Sequence, residues 1–263
     1  MRRLRRLLAK RATRWSERAF VAEGIELVRT GLAAGAVPES VYLAAEGAAD
    51  RAAAAVASQA EAAGVRVFEL SPGVMARVAD TVTPQPLCAV FPMLDVALEV
   101  AAGGDLAVVM VDVRDPGNAG TVLRTADAAG AAAVVCCGGT VDPYNPKTVR
   151  SSAGSLFHVP LIVAGAPAPA LEALDGFGYR RLGTAVRGGE DYALVDWRRP
   201  SAVVLGNEAV GLPPGLPLDV EVGVPMVGRA ESLNVGMACA VLCFEALRQR
   251  RLGADRPLGT MPG

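Results

Sequence analysis

Three stretches of the chain gather polar side chains, glycine and proline directly after an apolar run. The first is Asp112-Val113-Arg114-Asp115-Pro116-Gly117-Asn118-Ala119-Gly120-Thr121-Val122-Leu123-Arg124. The second is Leu205-Gly206-Asn207-Glu208-Ala209-Val210-Gly211-Leu212. The third is Val224-Pro225-Met226-Val227-Gly228-Arg229-Ala230-Glu231-Ser232-Leu233-Asn234-Val235. Asn118 is placed to cap a helix that carries Arg124 six residues later. Gly206 and Gly211 permit turns or close approach to a ligand. The third stretch feeds a helix whose first N–H groups can bind a polar ligand. In an open α/β sheet, ligands sit where the C-terminal ends of strands meet such loops. Each stretch also has an ordinary reading: Asn118 and Ser232 as N-caps, the glycines as turns, Arg124 as a surface ion-pairing residue. It is their joint occurrence that points to a site.

The rest of the composition narrows the chemistry. The single histidine, His158, leaves no Ser-His-Asp triad, HExxH helix or histidine zinc site, and no metal is expected. The five cysteines, Cys88, Cys136, Cys137, Cys239 and Cys243, form no CxxC and read as reduced, structural thiols of a cytoplasmic protein. Every apolar run is cut well before the ~18 residues that a membrane span requires. The start, Met1-Arg2-Arg3-Leu4-Arg5-Arg6, has no apolar stretch of secretory length. Within residues 1–18, eight basic residues face one acid, Glu17, so this segment carries +7 and the remainder −8 of a net −1. A basic arm on a mildly acidic body suggests a polyanion partner. Arg11, Arg14 and Arg18 are spaced three and four apart and would share one helix face.

These residues need a scaffold. The 263 residues are 52% hydrophobic but only 5% aromatic, which favours helices and parallel strands over an aromatic-rich sandwich. The first domain, 1–91, is expected to be a three-layer α/β sandwich. Its helices are expected at 20–33, at 48–63 (closed by Gly64) and from Ser71-Pro72, and its strands at 41–43, 65–68 and 87–91. Residues 92–104, ending in Gly103-Gly104, read as a linker. The second domain, 105–263, is expected to place strands at 106–111, 132–136, 159–163, 180–184, 202–205 and 220–224. Helices are expected at 121–129, 146–156, 168–174 and 233–250. The last helix carries Val235, Met237, Val241, Phe244 and Leu247 on more than one face, a surplus that suits a second subunit.

In this order, the three stretches resemble the signature motifs of the SpoU (TrmH) family of SPOUT RNA ribose methyltransferases, a likeness that runs over residues 106–249. The connecting Lys147-Thr148-Val149-Arg150-Ser151-Ser152-Ala153-Gly154-Ser155 is similar too. Residues 11–91 resemble the family's substrate-binding domain through Arg14, Phe20, Glu23-Gly24 and Thr83-Pro84-Gln85. The resemblance implies an α/β chain: an N-terminal ribosomal-protein-like sandwich and a C-terminal parallel-sheet domain tied into a deep trefoil knot. It implies that S-adenosylmethionine binds at Leu205, Gly206, Gly211, Val224, Met226, Ser232 and Leu233. It implies Arg124 as the catalytic residue, arranged by Asn118, Glu208, Ser232 and Asn234, in a homodimer whose active site forms at the subunit interface. Methyl transfer to a ribose 2′-hydroxyl demands alignment of donor and acceptor, worth up to ~7–11 kcal/mol. A guanidinium keeps its charge at ordinary pH, so Arg124 is expected to position a phosphate and stabilise the developing alkoxide. Glu208 is the second candidate for handling the proton. With RNA implied, Arg11, Arg14, Arg18, Arg114 and Arg150 are expected to contact it. The expected substrate is large-subunit rRNA, favoured over tRNA, and a non-catalytic ribosome-assembly factor is a further alternative. A dinucleotide oxidoreductase is disfavoured, because no G-x-G-x-x-G follows the strand at 106–111.

Overall fold

The computed structural model describes residues 1–47, 49–77 and 84–253. The chain divides into two compact units, Met1–Leu94 with Asp142–His158, and Asp95–Val141 with Val159–Gly263.

Unit one begins with α1 (Arg2–Ala9) and α2 (Arg11–Glu17), then β1 (Ala19–Glu23), α3 (Ile25–Ala33), β2 (Ser40–Ala44), α4 (Arg51–Ala62), β3 (Arg66–Leu70) and β4 (Leu87–Pro92). Leu4, Leu7 and Leu8 recur at helical spacing and are buried, so the segment before Lys10 is a packed amphipathic helix rather than a solvated arm. The sheet order is β1-β4-β2-β3; β4 runs antiparallel to both neighbours, and β2 and β3 are parallel. Strand side chains alternate between faces. Ala19, Val21, Cys88 and Val90 cluster with the three leucines of α1. Phe20 and Phe91 point the other way, against Tyr144 and Phe157. A Cβ on Gly31 of α3 would come within 2.8 Å of the Phe91 ring, which places α3 on that second face and makes three layers.

The expected helix over 20–33 is a strand, a glycine and a helix. Residues 19–23 are all buried, as in a strand covered on both faces, and Gly24 (φ +117°) turns the chain into α3. Phe20-Val21 followed by Ile25 mimics helical spacing because an apolar strand and an amphipathic helix abut there. Asp50 caps α4, its Oδ1 accepting the N–H groups of Ala52 (2.9 Å) and Ala53 (3.3 Å). Residue 48, the expected start of that helix, lies outside the described residues. Of the helix expected from Ser71-Pro72, one 3-10 turn, Met75–Arg77, is described; residues 78–83, including Thr83, are outside.

Unit two follows as β5 (Leu106–Met110), α5 (Pro116–Ala128) and β6 (Ala133–Cys136). The chain then makes the helix α6 (Pro146–Ser151) within unit one and returns. β7 (Leu161–Val163), α7 (Pro167–Gly176), β8 (Arg180–Thr184), β9 (Glu190–Asp191), β10 (Ser201–Leu205), β11 (Val220–Gly223) and α8 (Val235–Gly253) complete it. The seven strands pair in the order β7-β6-β5-β10-β8-β11-β9, all parallel. β5, β6 and β10 are buried along their whole length, as central parallel strands covered on both faces must be.

Two features depart from the linear boundaries 1–91, 92–104 and 105–263. Residues 95–104 are grouped with unit two: Val96 bridges Ile162, and Ala101 is buried against Tyr179, whose hydroxyl donates to the Ala101 carbonyl at 2.7 Å. Residues 142–158 are grouped with unit one, through Phe157, Tyr144 and a buried ion pair of Asp142. Both follow from tertiary packing that a chain-order reading does not contain.

Candidate active site

The three polar stretches converge at the C-terminal ends of β5, β10 and β11. Asp115 is the N-cap of α5, its Oδ1 accepting the Asn118 N–H at 2.9 Å, and Pro116 opens the helix. The helix therefore starts five residues before the expected 121. It also frees Asn118, which is not the cap. Asn118 Nδ2 donates to Glu208 Oε1 at 2.9 Å, and Asn118 Oδ1 accepts from Asn234 Nδ2 at 2.8 Å. Asn234, not Ser232, holds the start of α8: its Oδ1 accepts the Gly236 N–H at 2.9 Å. One hydrogen-bonded line, Glu208–Asn118–Asn234, thus ties together all three stretches.

The same Glu208 carboxylate accepts the N–H groups of Asp115 (3.1 Å) and Arg114 (3.2 Å). Partial burial pushes its pKa up, but the Asn118 amide and the backbone N–H groups outweigh this and hold the pKa below the ordinary glutamate value. A carboxylate so well supplied with donors anchors the first stretch to the second.

Sequence reasoning missed Asn207. Its Nδ2 donates to the carbonyl (3.0 Å) and carboxylate (3.2 Å) of Asp112, and its Oδ1 accepts the N–H groups of Ala209 (2.9 Å) and Val210 (3.2 Å). Asn207 and Gly211 exchange backbone hydrogen bonds at 3.0 and 2.9 Å. Asp112 sits at φ +57°, a left-handed conformation that the Asn207 bond helps to hold. An asparagine directly after a glycine at a strand end was the available signal. Gly206 is required by this same loop. A Cβ there would lie 2.4 Å from the Gly211 carbonyl carbon and 2.5 Å from the Leu212 nitrogen. The clash is with the protein's own backbone, and a substitution at Gly206 does not report on a ligand alone.

Beside this line opens a cleft with a volume of about 80 Å³. Gly206, Gly211, Val224, Met226, Ser232 and Leu233 line it, as does Glu208. Leu205 does not: its side chain is buried and its carbonyl accepts the Val111 N–H at 2.9 Å. The wall formed by Thr184, Ala185 and Val186 was not anticipated; the sign available was another strand end followed by Gly188-Gly189.

Arg124 lies on α5 one turn beyond Thr121, whose methyl group meets Gly236 of α8. A Cβ on Gly236 would approach that methyl to 2.7 Å, so glycine is what lets the two helices come together. Arg124 is exposed, outside the cleft lining, and makes no hydrogen bond or ion pair among the described residues. Met237 and Phe244, seven residues apart on α8, are 57% and 47% exposed, an uncovered apolar stripe.

The five arginines expected at RNA divide. Arg14 is corrected outright. It is 3% exposed, its Nη2 lies 2.7 Å from Asp142 Oδ2, and its Nη1 donates to the carbonyls of Leu7 (2.7 Å) and Leu8 (3.2 Å) at the end of α1. It closes a helix and cannot reach a phosphate. Arg150 turns inward, 3.7 Å from the buried carboxylate of Glu23, with Nη1 itself buried. Arg114 is exposed beside the cleft network, its Nε donating to Asp112 at 2.9 Å. Arg11 and Arg18 are exposed, with their guanidinium carbons over the Trp15 ring at 5.8 and 5.7 Å.

Comparison with known proteins agrees with this arrangement. The SpoU rRNA methylase family profile matches residues 105–244, and an MRM3-like substrate binding domain matches residues 1–89. The 23S rRNA (guanosine(2553)-2′-O)-methyltransferase RlmP of Bacillus subtilis is 39% identical over 184 residues, 69% of this chain and 72% of the relative. An AdoMet-bound rRNA methyltransferase from Sinorhizobium meliloti superposes with a TM-score of 0.82 at 32% identity, over 94% of this chain and 93% of that one. The SpoU methyltransferase AviRb from Streptomyces viridochromogenes, in complex with AdoMet, superposes at 0.84 with 26% identity, over 96% and 98%.

Proposed function

The chain belongs to the SpoU rRNA methylase family, and we propose that it methylates a ribose 2′-hydroxyl of large-subunit ribosomal RNA with S-adenosylmethionine. The observation that carries this reading is the Glu208–Asn118–Asn234 line beside the cleft. The cleft fits the cofactor's chemistry. It joins apolar side chains (Val224, Met226, Leu233) to backbone at Gly206 and Gly211 and to the Ser232 hydroxyl. When bound, the cofactor supplies an activated methyl group on a sulfonium.

Glu208 fixes Asn118, and Asn118 fixes Asn234 at the head of α8. The loop that carries Ser232 and Leu233 is thereby set against the 206–211 turn. Arg124 supplies a charged donor fork with no partner among the described residues. It holds an RNA phosphate and stabilises the alkoxide that forms on the 2′-oxygen. Arg114, beside Glu208, adds a phosphate contact.

The reading extends to assembly, topology and place. The stripe of Met237 and Phe244 packs on a second copy, which brings the partner's surface to Arg124. The loops of the catalytic unit tie a deep trefoil knot, and unit one is an RNA-binding sandwich of the ribosomal-protein-like kind. The protein works in the cytoplasm, where ribosomal RNA is made. Its five cysteines are free and buried, and among the described residues no helix is long and apolar enough to cross a membrane.

The test is incubation of total RNA with methyl-labelled cofactor, followed by mapping of blocked 2′-hydroxyls. Label in one large-subunit rRNA ribose is the expected result. Label in protein or small molecules but never in RNA sinks the proposal.

A further inference from the structure

We propose that Arg187 and Glu231 clasp the amino-acid arm of S-adenosylmethionine, Arg187 taking its carboxylate and Glu231 its ammonium, an inference that rests on the cofactor reading above. The cleft of about 80 Å³ is too small for a whole nucleoside with an amino-acid arm, since small-molecule sites run to ~300–1,000 Å³. A second cavity of about 310 Å³ continues from it, and the two share Ala185, Val186, Val224 and Met226 as walls. Arg187 and Glu231 line this second cavity. Glu231 directly precedes Ser232, which lines the first.

The turn that carries Arg187 is held at both ends by β11. The Ala185 N–H donates to the Val222 carbonyl at 2.9 Å, and the Tyr192 N–H donates to the Gly223 carbonyl at 3.0 Å. Between these, Gly188 and Gly189 sit at φ +76° and +81°. A Cβ on Gly223 would lie 2.3 Å from the Gly188 carbonyl oxygen, so the turn packs backbone to backbone on the end of β11. From this base Arg187 Nη2 donates to Glu231 Oε2 at 3.2 Å. The pair thus joins two walls of the cavity, the turn after β8 and the loop before α8. A turn ordered in advance lowers the cost of binding.

That geometry selects a zwitterion. Both side chains are 78% exposed, and an ion pair in that setting contributes little to stability. Each partner can exchange the other for a charge on a ligand at small cost. Arg187 presents a planar fork that matches a carboxylate with two parallel hydrogen bonds. Glu231 accepts from an ammonium. An α-amino acid carries both charges on one carbon, so opposite charges 3.2 Å apart beside the cofactor cleft match its arm. A bare nucleoside carries neither charge and gains nothing from the pair.

The test is calorimetric titration of the full chain with two pairs of ligands. S-adenosylhomocysteine and methylthioadenosine are both uncharged at sulfur and differ in the amino-acid arm. S-adenosylmethionine and its decarboxylated form both carry the sulfonium and differ in the carboxylate alone. Wild type should bind the first member of each pair more tightly, by ~10-fold or more. Arg187→Ala should weaken S-adenosylhomocysteine and S-adenosylmethionine ~10-fold without weakening the two ligands that lack the carboxylate. Glu231→Gln should weaken every ligand that carries the ammonium and leave methylthioadenosine unchanged. The unfolding midpoints of both variants should match wild type, because the pair is exposed. Equal weakening of methylthioadenosine would make the pair a strap that shapes the loop, and unchanged affinities would make it a surface ion pair; either result overturns the clasp. The two readings fail separately. A protein that shows this binding pattern but methylates no RNA loses the methylation proposal alone. One that methylates ribose while Arg187→Ala binds S-adenosylhomocysteine as wild type does loses the clasp alone.

Discussion

Arg14 and Arg124 are the same residue type, each on a helix, and the two units use them in opposite ways. Arg14 is sealed inside unit one, with Asp142 and two helix-end carbonyls taking up its donors. Arg124 stands on the surface of unit two, with its donors unspent among the described residues. A buried guanidinium must be saturated at home, because an unpaired buried charge is too costly to keep. An exposed one, next to a rigid polar network, can reserve its donors for a ligand. The difference shows that partner saturation, not residue type or spacing, separates a structural arginine from a chemical one.

The contrast can be broken at either end, and the largest effect should come from the buried side. Arg14→Ala leaves Asp142 buried and uncompensated, with the α1 carbonyls unmet. It should cost about 3–5 kcal/mol, read by denaturant unfolding. A loss under about 1 kcal/mol would show that the pair is not structural.

Arg124→Ala should do the reverse. Unfolding midpoint and cofactor affinity should stay near wild type while single-turnover methylation falls ~10²-fold or more. A variant that loses cofactor binding yet methylates normally at saturating cofactor contradicts the role given to it.

Gly206→Ala sharpens the comparison within unit two. Because the added carbon meets the Gly211–Leu212 backbone, stability and cofactor affinity should fall together, by about 1–3 kcal/mol in stability. Weakened binding with unaltered stability would place the constraint on the ligand instead.

The smallest effect concerns Glu208. Its folded pKa lies below the ordinary glutamate value, so its contribution to stability is present above that value, about 4.3, and fades as pH falls through the lower, folded one. Glu208→Gln should make the protein's acid unfolding less steep below about pH 4.3. An identical acid transition in wild type and variant would remove the anchoring role. Glu208 is largely exposed, so the stability lost at neutral pH should be small.

Much of unit two was legible in the chain. Unbroken apolar runs mark β5, β6 and β10 because a parallel strand covered on both faces has no polar side to show. Glycine- and proline-marked polar segments follow these strands because loops at strand ends must turn and cap helices. Other features were hidden by local ambiguity. β1 looked helical because a short strand and the next helix share an apolar run. Asn118 looked like a cap because Asp115, three residues earlier, is an equally good one. Arg11, Arg14 and Arg18 looked like one helix face turned to RNA, yet the middle residue turns inward to a carboxylate 128 positions away.

What the sequence determined by itself was the inventory: a parallel α/β sheet, three polar loops in order, no histidine within those loops, and a cationic start. These are local properties, set by side-chain period, backbone freedom and composition. Tertiary structure alone decided which polar groups are spent and which are left over. Glu208 became an anchor, Arg14 a buried tie and Arg124 an open donor only when segments distant in the chain met. Residues 142–158 joined unit one for the same reason: Phe20 and Phe91 needed covering, and Asp142 was the charge that let Arg14 be buried.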